Sequence, residues 1–149
     1  MRQIKAFFIF VLVTVATVPT MASIFVDKPI TVSELPAAAQ QFIKTHFAGA
    51  EISFATVDNE IMDTDYKVVF TDGRKVEFAK NGEWREVEVK QTPFPMEIVP
   101  KPICNYLKSH YPKQKVRQIE RQRRGYELKL DNGLELTFDK NYALVEIDD

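Results

Sequence analysis

The segment 66–78 constrains the fold most, because the chain writes its pattern twice. Tyr66, Val68 and Phe70 alternate with polar residues, Asp72-Gly73 follows, and Val76 and Phe78 resume the alternation. At an offset of 60, Tyr126, Leu128 and Leu130 precede Asn132-Gly133, and Leu136 and Phe138 come after. A period of two on both sides of an Asx-Gly pair predicts a β-hairpin with a type I′ turn. Each such strand has one apolar face that must be covered by something else.

The flanking segments offer the cover. Leu35, Ala38, Ala39, Phe42, Ile43 and Phe47 recur at helical spacing, with Thr31 or Ser33 as cap, Pro36 and Glu34 suited to the helix start, and Gly49 at its end. Val99-Pro100 matches Leu35-Pro36, and Ile103, Tyr106, Leu107 and Tyr111 repeat the stripe at an offset of 64. The segments 51–58 and 116–122 predict the strand after each helix, with Ile52 and Phe54 on one face. Asn81-Gly82 predicts a second tight turn into a strand over 84–89. Leu144, Glu146 and Ile147 match Trp84, Glu86 and Val87, with Tyr142 standing where the first copy has Gly82. The expected fold is α+β, a tandem repeat of helix plus four-stranded antiparallel sheet with the helices on one face and a shared core. The expected divisions are a leader at 1–22, a first repeat at 23–90, a linker at 91–95 that holds Pro93 and Pro95, and a second repeat at 96–149.

The leader is a secretory signal peptide by its parts. Arg2 and Lys5 are basic, 6–18 is apolar apart from two threonines, Pro19 breaks the run, and Thr20-Met21-Ala22 offers small residues for cleavage. The apolar run is shorter than the ~20 residues a bilayer crossing needs, so no stable membrane insertion is expected after cleavage. The expected location is periplasmic or secreted. Cys104 is the single cysteine, so no internal disulfide forms and stability rests on burial. The formal charge of −1 becomes more negative once Arg2 and Lys5 leave, which does not suit a nucleic-acid binder.

No catalytic constellation emerges. His46 and His110 sit at equivalent positions near the helix ends, where a histidine favours the negative dipole, and neither has partners at zinc-motif spacing. Cys104 lies on an amphipathic helix beside Ile103 and reads as a partly buried, inert thiol. Asp58, Glu60, Asp63 and Asp65 do not follow calcium-loop spacing and read as a solvated acidic connection. No metal ligand, cofactor site or catalytic residue is assigned. Binding is the better expectation. Strict alternation from Val87 and Val89 places Trp84, Glu86 and Glu88 on the face away from the helices, where an exposed tryptophan makes a common anchor. A register slip after the Asn81-Gly82 turn would bury Trp84 instead, and the sequence is compatible with both. The basic stretch Lys113, Lys115, Arg117, Arg121, Arg123 and Arg124 adds Arg117 and Arg121 as candidates, for steering an acidic partner or for keeping an exposed hairpin soluble.

The Leu/Val-Pro helix openings and the Tyr-containing strands before Asx-Gly, following a signal peptide, resemble a known family over roughly 30–147. The chain looks like the PepSY-like, β-lactamase-inhibitor-like proteins exported by Bacteroidetes-type bacteria. The inhibitor that gives the family its name has tandem units whose sheet forms a concave enzyme-binding face. Its domains carry disulfides, which this chain lacks, and no binding residue carries over by motif. The expectation is a non-enzymatic protein-binding module of the envelope that restrains a hydrolase, with a binder of a small ligand or envelope polymer as the alternative.

Overall fold

The structure is a computed structural model that describes residues 27–59 and 63–149. The leader expected at 1–22, and Glu60 of the acidic connection, lie outside the described residues. The chain runs β1 (Lys28–Ile30), α1 (Ala37–His46), β2 (Ile52–Asn59), β3 (Thr64–Phe70), β4 (Lys75–Ala79) and β5 (Trp84–Glu88). It continues through α2 (Lys101–His110), β6 (Val116–Gln122), β7 (Gly125–Leu130), β8 (Glu135–Asp139) and β9 (Leu144–Asp148). Short 3-10 turns at Val32–Glu34 and Met96–Ile98 lead into the two helices. Thr31 caps the first of these turns, where its backbone N–H donates to Glu34 Oε2 at 2.7 Å, and α1 itself starts after Pro36.

The expected α+β tandem repeat of helix plus four-stranded sheet is corrected. Among the described residues, the strands form one nine-stranded antiparallel sheet in the order β1 to β9, with two ten-residue helices beside it. Two features account for the difference. The stretch ahead of the first helix, where no strand is expected, supplies β1, which pairs with β2 from Lys28↔Val57 to Ile30↔Ala55. The strands on either side of the linker pair with each other, Val87 opposite Ile119 and Glu88 opposite Gln118, and Val89 N–H donates to Arg117 O. Two separate sheets would each leave an unpaired edge at that point, and joining them satisfies both rows of backbone groups.

One apolar cluster runs the length of the sheet on the helix side. Phe42 of α1 meets Phe78 edge-on with ring centroids 5.6 Å apart, and Tyr106 of α2 meets Phe138 in the same way at 5.4 Å. Val68, Val76, Val87, Ile119, Leu128 and Leu136 beneath the helices are fully buried.

The hairpin turns differ from the type I′ expectation. Gly73 N–H donates to Phe70 O, Phe70 N–H donates to Arg74 O, and only Gly73 has a positive φ, of 83°. That is a three-residue loop, a type I turn closed by a left-handed residue. The same bonds recur around Gly82, Gly133 and Tyr142.

Candidate functional site

Four strands, β2, β5, β6 and β9, carry a bulge, and the bulges decide which side chains reach the open face. In β5 the register passes from Glu77↔Glu86 to Phe78↔Trp84, so Arg85 is the extra residue. An extra residue reverses the alternation on one side of it. Trp84 therefore shares the helix side with Val87, stacked on Phe42 at 6.3 Å, and Glu86 and Glu88 remain on the open face. Of the two placements the sequence allows for Trp84, the structure takes the one against the helix. The shift at Ser53 likewise sends Phe54 to the open face opposite Val69 and leaves Ile52 among the core residues, so the two do not share a face as expected. In β6 the extra residue is Arg117, and Arg121 lies over the Trp84 ring with its guanidinium carbon 4.4 Å from the centroid. The five candidates thus separate: Glu86 and Glu88 face out from the sheet, Trp84 and Arg121 form a cation–π pair on the helix side, and Arg117 sits at a bulge.

The open face holds a feature absent from the candidate set. Glu77 stands opposite Glu86, Glu86 opposite Glu120, and Glu120 opposite Glu127, which puts four glutamates in one row across four adjacent strands. Directly opposed side chains have Cβ atoms about 4.5–5.5 Å apart, and like charges there are destabilising. Two lysines border the row: Lys67 stands opposite Glu77 with its Nζ paired to Asp27, and Lys75 offsets part of the repulsion directly. Lys75 Nζ lies 2.9 Å from Glu86, 3.3 Å from Glu77 and 3.3 Å from Glu88. Burial alone would lower its pKa, but the Glu86 hydrogen bond and the Glu77 and Glu86 charges win and hold it well above the ordinary lysine value. Glu120 has no such partner. Burial, then the charges of Glu127, Glu86 and Glu77, push its pKa up, with only Arg85 opposing. A polar concavity of about 340 Å³ lies over this part of the sheet, lined by Glu77, Glu86, Glu120, Arg85 and Gln122 among others.

The acidic connection has a use in the same region. Arg85, set free by the bulge, donates Nη2 to Asp63 Oδ2 at 2.9 Å and Nη1 to Asp65. The hydrogen bond from Arg85 lowers the Asp63 pKa, whereas burial raises that of Asp65 despite the same guanidinium. Among the described residues, no three histidine, cysteine or acidic side chains come together as a metal site. His46 Nδ1 lies 3.3 Å from Glu97 Oε1, and His110 Nδ1 lies 3.1 Å from Tyr106 O. The Cys104 thiol points to Val99 O at 3.5 Å, and burial pushes its pKa up, the opposite of an activated nucleophile. Glu77 was findable within its hairpin, since Lys67, Glu77 and Glu86 fall in register once the turns are set. Glu120 and Glu127 join the row only through the β5–β6 pairing, which no local pattern announces.

The comparisons with known proteins agree with this architecture. The family model described as "Putative beta-lactamase-inhibitor-like, PepSY-like" matches residues 64–146. A putative calcium-regulated periplasmic protein from Bacteroides thetaiotaomicron is 45% identical, with a TM-score of 0.80, covering 83% of this chain and 97% of that one. A putative periplasmic protein from Bacteroides vulgatus is 43% identical, with a TM-score of 0.79 and coverage of 83% and 97%. Another from the same species, of unknown function, is 35% identical, with a TM-score of 0.79 and coverage of 83% and 100%. No curated protein matches the chain. The expected location is met: the protein is periplasmic or secreted, in line with relatives described as putative periplasmic proteins. No described helix is long and apolar enough to cross a membrane. By its match over most of the folded sheet and its likeness to these structures, the chain belongs to the PepSY-like, β-lactamase-inhibitor-like family.

Proposed function

We propose that the protein is a non-enzymatic binding module of the periplasm whose open sheet face engages the basic surface of a protein partner. The observation that carries this reading is the row Glu77, Glu86, Glu120 and Glu127. Four like charges set side by side weaken a sheet, and Lys75 does not neutralise them. Lysine and arginine side chains of a partner would relieve that repulsion on docking, and the gain would be specific to this face. The family's inhibitor-like description makes a hydrolase the first partner class to test. The raised Cys104 pKa counts against that thiol as a nucleophile.

The test compares the exported chain with its Glu86→Gln/Glu120→Gln/Glu127→Gln variant, each immobilised and exposed to periplasmic extract. A basic protein held by the wild type, released by salt and lost from the variant is expected. Exposed charges more than about 10 Å apart are largely screened at 0.1 M salt, so release from the wild type should grow with ionic strength and its difference from the variant should shrink. Equal retention by wild type and variant overturns the proposal, and retention of a polysaccharide in place of a protein favours the envelope-polymer alternative. Because one relative is described as calcium-regulated, a parallel run with millimolar Ca²⁺ is included. Competition for the glutamates predicts weaker retention there.

A further inference from the structure

An apolar cleft lies on the other side of the molecule and plays no part in that reading. It has a volume of about 430 Å³, within the roughly 300–1,000 Å³ typical of small-molecule sites. Phe94, Met96, Cys104, Leu107, Tyr111 and Val116 wall it, where the linker leaves β5 and climbs to α2. Topology explains why the cleft is there. Before α1, the chain lies down as β1 along the free edge of β2. Before α2, the corresponding edge of β6 is already held by β5, so the linker is displaced from the sheet and a gap opens beneath the helix.

The charge of the lining specifies an occupant. The charged residues among those that line the cleft are all cationic, Lys108, Lys115 and Arg117, and the Asp131 carboxylate outside the lining accepts from the Lys115 backbone N–H at 3.0 Å. We propose that this cleft binds a small monoanion with an apolar body, such as a medium-chain carboxylate. Its apolar part packs against Phe94, Leu107 and Tyr111. Its carboxylate meets the cationic side chains. Neutral and cationic amphiphiles of equal length lack the group that the lining selects.

The probe is decanoate, titrated calorimetrically into the exported chain, with decan-1-ol and decyltrimethylammonium as same-length controls. One site is expected for decanoate, with binding at least about tenfold tighter than either control, the difference a charge-assisted pair supplies. Cys104 reports the location, since it is the chain's single thiol and lines the cleft. Decanoate should slow its alkylation about fivefold or more, and the cationic amphiphile should not. Lys115→Glu/Arg117→Glu should abolish the decanoate preference. Lys108→Glu, at an exposed position of α2 that lines the cleft, should weaken decanoate about three- to tenfold with the melting temperature unchanged. That variant decides the matter if the double variant fails to fold. Absence of decanoate binding, equal binding of all three amphiphiles, or binding that leaves Cys104 unprotected overturns the proposal.

Discussion

The β4–β5 and β8–β9 hairpins are built alike and end in opposite environments. Val76 pairs with Val87 and Phe78 with Trp84, just as Leu136 pairs with Ile147 and Phe138 with Leu144, each with one extra residue at the bulge. Val87 is 0% exposed, whereas Ile147 is 48% exposed. The difference comes from the neighbour. β5 is sealed by β6, while β9 is the last strand of the sheet and relies on Glu146, Asp148 and Asp149 to discourage further pairing. Local pattern sets the hairpin and its register. The strand on the far side sets how much each apolar residue is worth.

The sharpest way to break this comparison is to place the same charge at both positions. Val87→Asp buries a carboxylate between Val76 and Ile119, and a loss of about 4 kcal/mol or more is expected, enough to unfold many domains of this size. Ile147→Asp, on the exposed edge, should cost no more than about 1 kcal/mol. Urea denaturation of the two variants measures both. Equal losses would mean that β9 is covered in solution.

A smaller contrast lies in the loops. Gly82 has φ +83°, and a Cβ there would come within 2.9 Å of Pro36 Cβ and 3.0 Å of Ala39 N at the start of α1. Gly82→Ala should therefore cost about 3 kcal/mol, combining left-handed strain with overpacking. Gly133, with φ +91° and open space around it, should lose only about 1–2 kcal/mol on the same change. Tyr142 occupies the equivalent loop position with φ 64° and stacks on Tyr126 at 5.8 Å. Tyr142→Gly relieves the strain and forfeits the stacking, so its thermal midpoint should barely move.

These cases show what the sequence makes legible and what it hides. The hairpins, the two helical stripes and the aromatic seats of Phe42 and Tyr106 follow from local periodicity, so they can be read directly. Turn type could not be read from Asp72-Gly73 alone. The pair sits in a three-residue loop closed between Phe70 and Arg74, and Asp72 keeps an ordinary φ. Trp84 was ambiguous for a similar reason. A bulge at Arg85 reverses the faces, and Arg85 earns its place through Asp63 and Asp65, residues some twenty positions away. The joined sheet and its glutamate row depend on pairing across a proline-containing linker, where no period of two or 3.6 carries information.

The faintest expected effect concerns the same contrast between inner and edge strands on the open face. Glu120 lies between Glu86 and Glu127, whereas Glu146 of β9 faces only Thr137. Glu120→Gln should raise stability by about 0.5 kcal/mol at neutral pH, and Glu146→Gln should leave it unchanged. The pH dependence follows from the raised pKa of Glu120, set by burial and then by Glu127, Glu86 and Glu77. Above its folded pKa the carboxylate is ionised in both states, and the folded state bears the whole repulsion. As pH falls through that pKa the folded state takes up a proton and the penalty fades. Below the ordinary glutamate value of 4.5 both states are protonated and nothing remains. The advantage of Glu120→Gln over the wild type should thus close with acidification. Asp27 and Asp72, whose pKa values are lowered chiefly by hydrogen bonds from Lys67 and Arg74, lose their stabilising contribution at still lower pH in both proteins and cancel in the difference. A gap between the two urea midpoints that stays constant from pH 7 to pH 4 would show that the glutamates of the row do not feel one another.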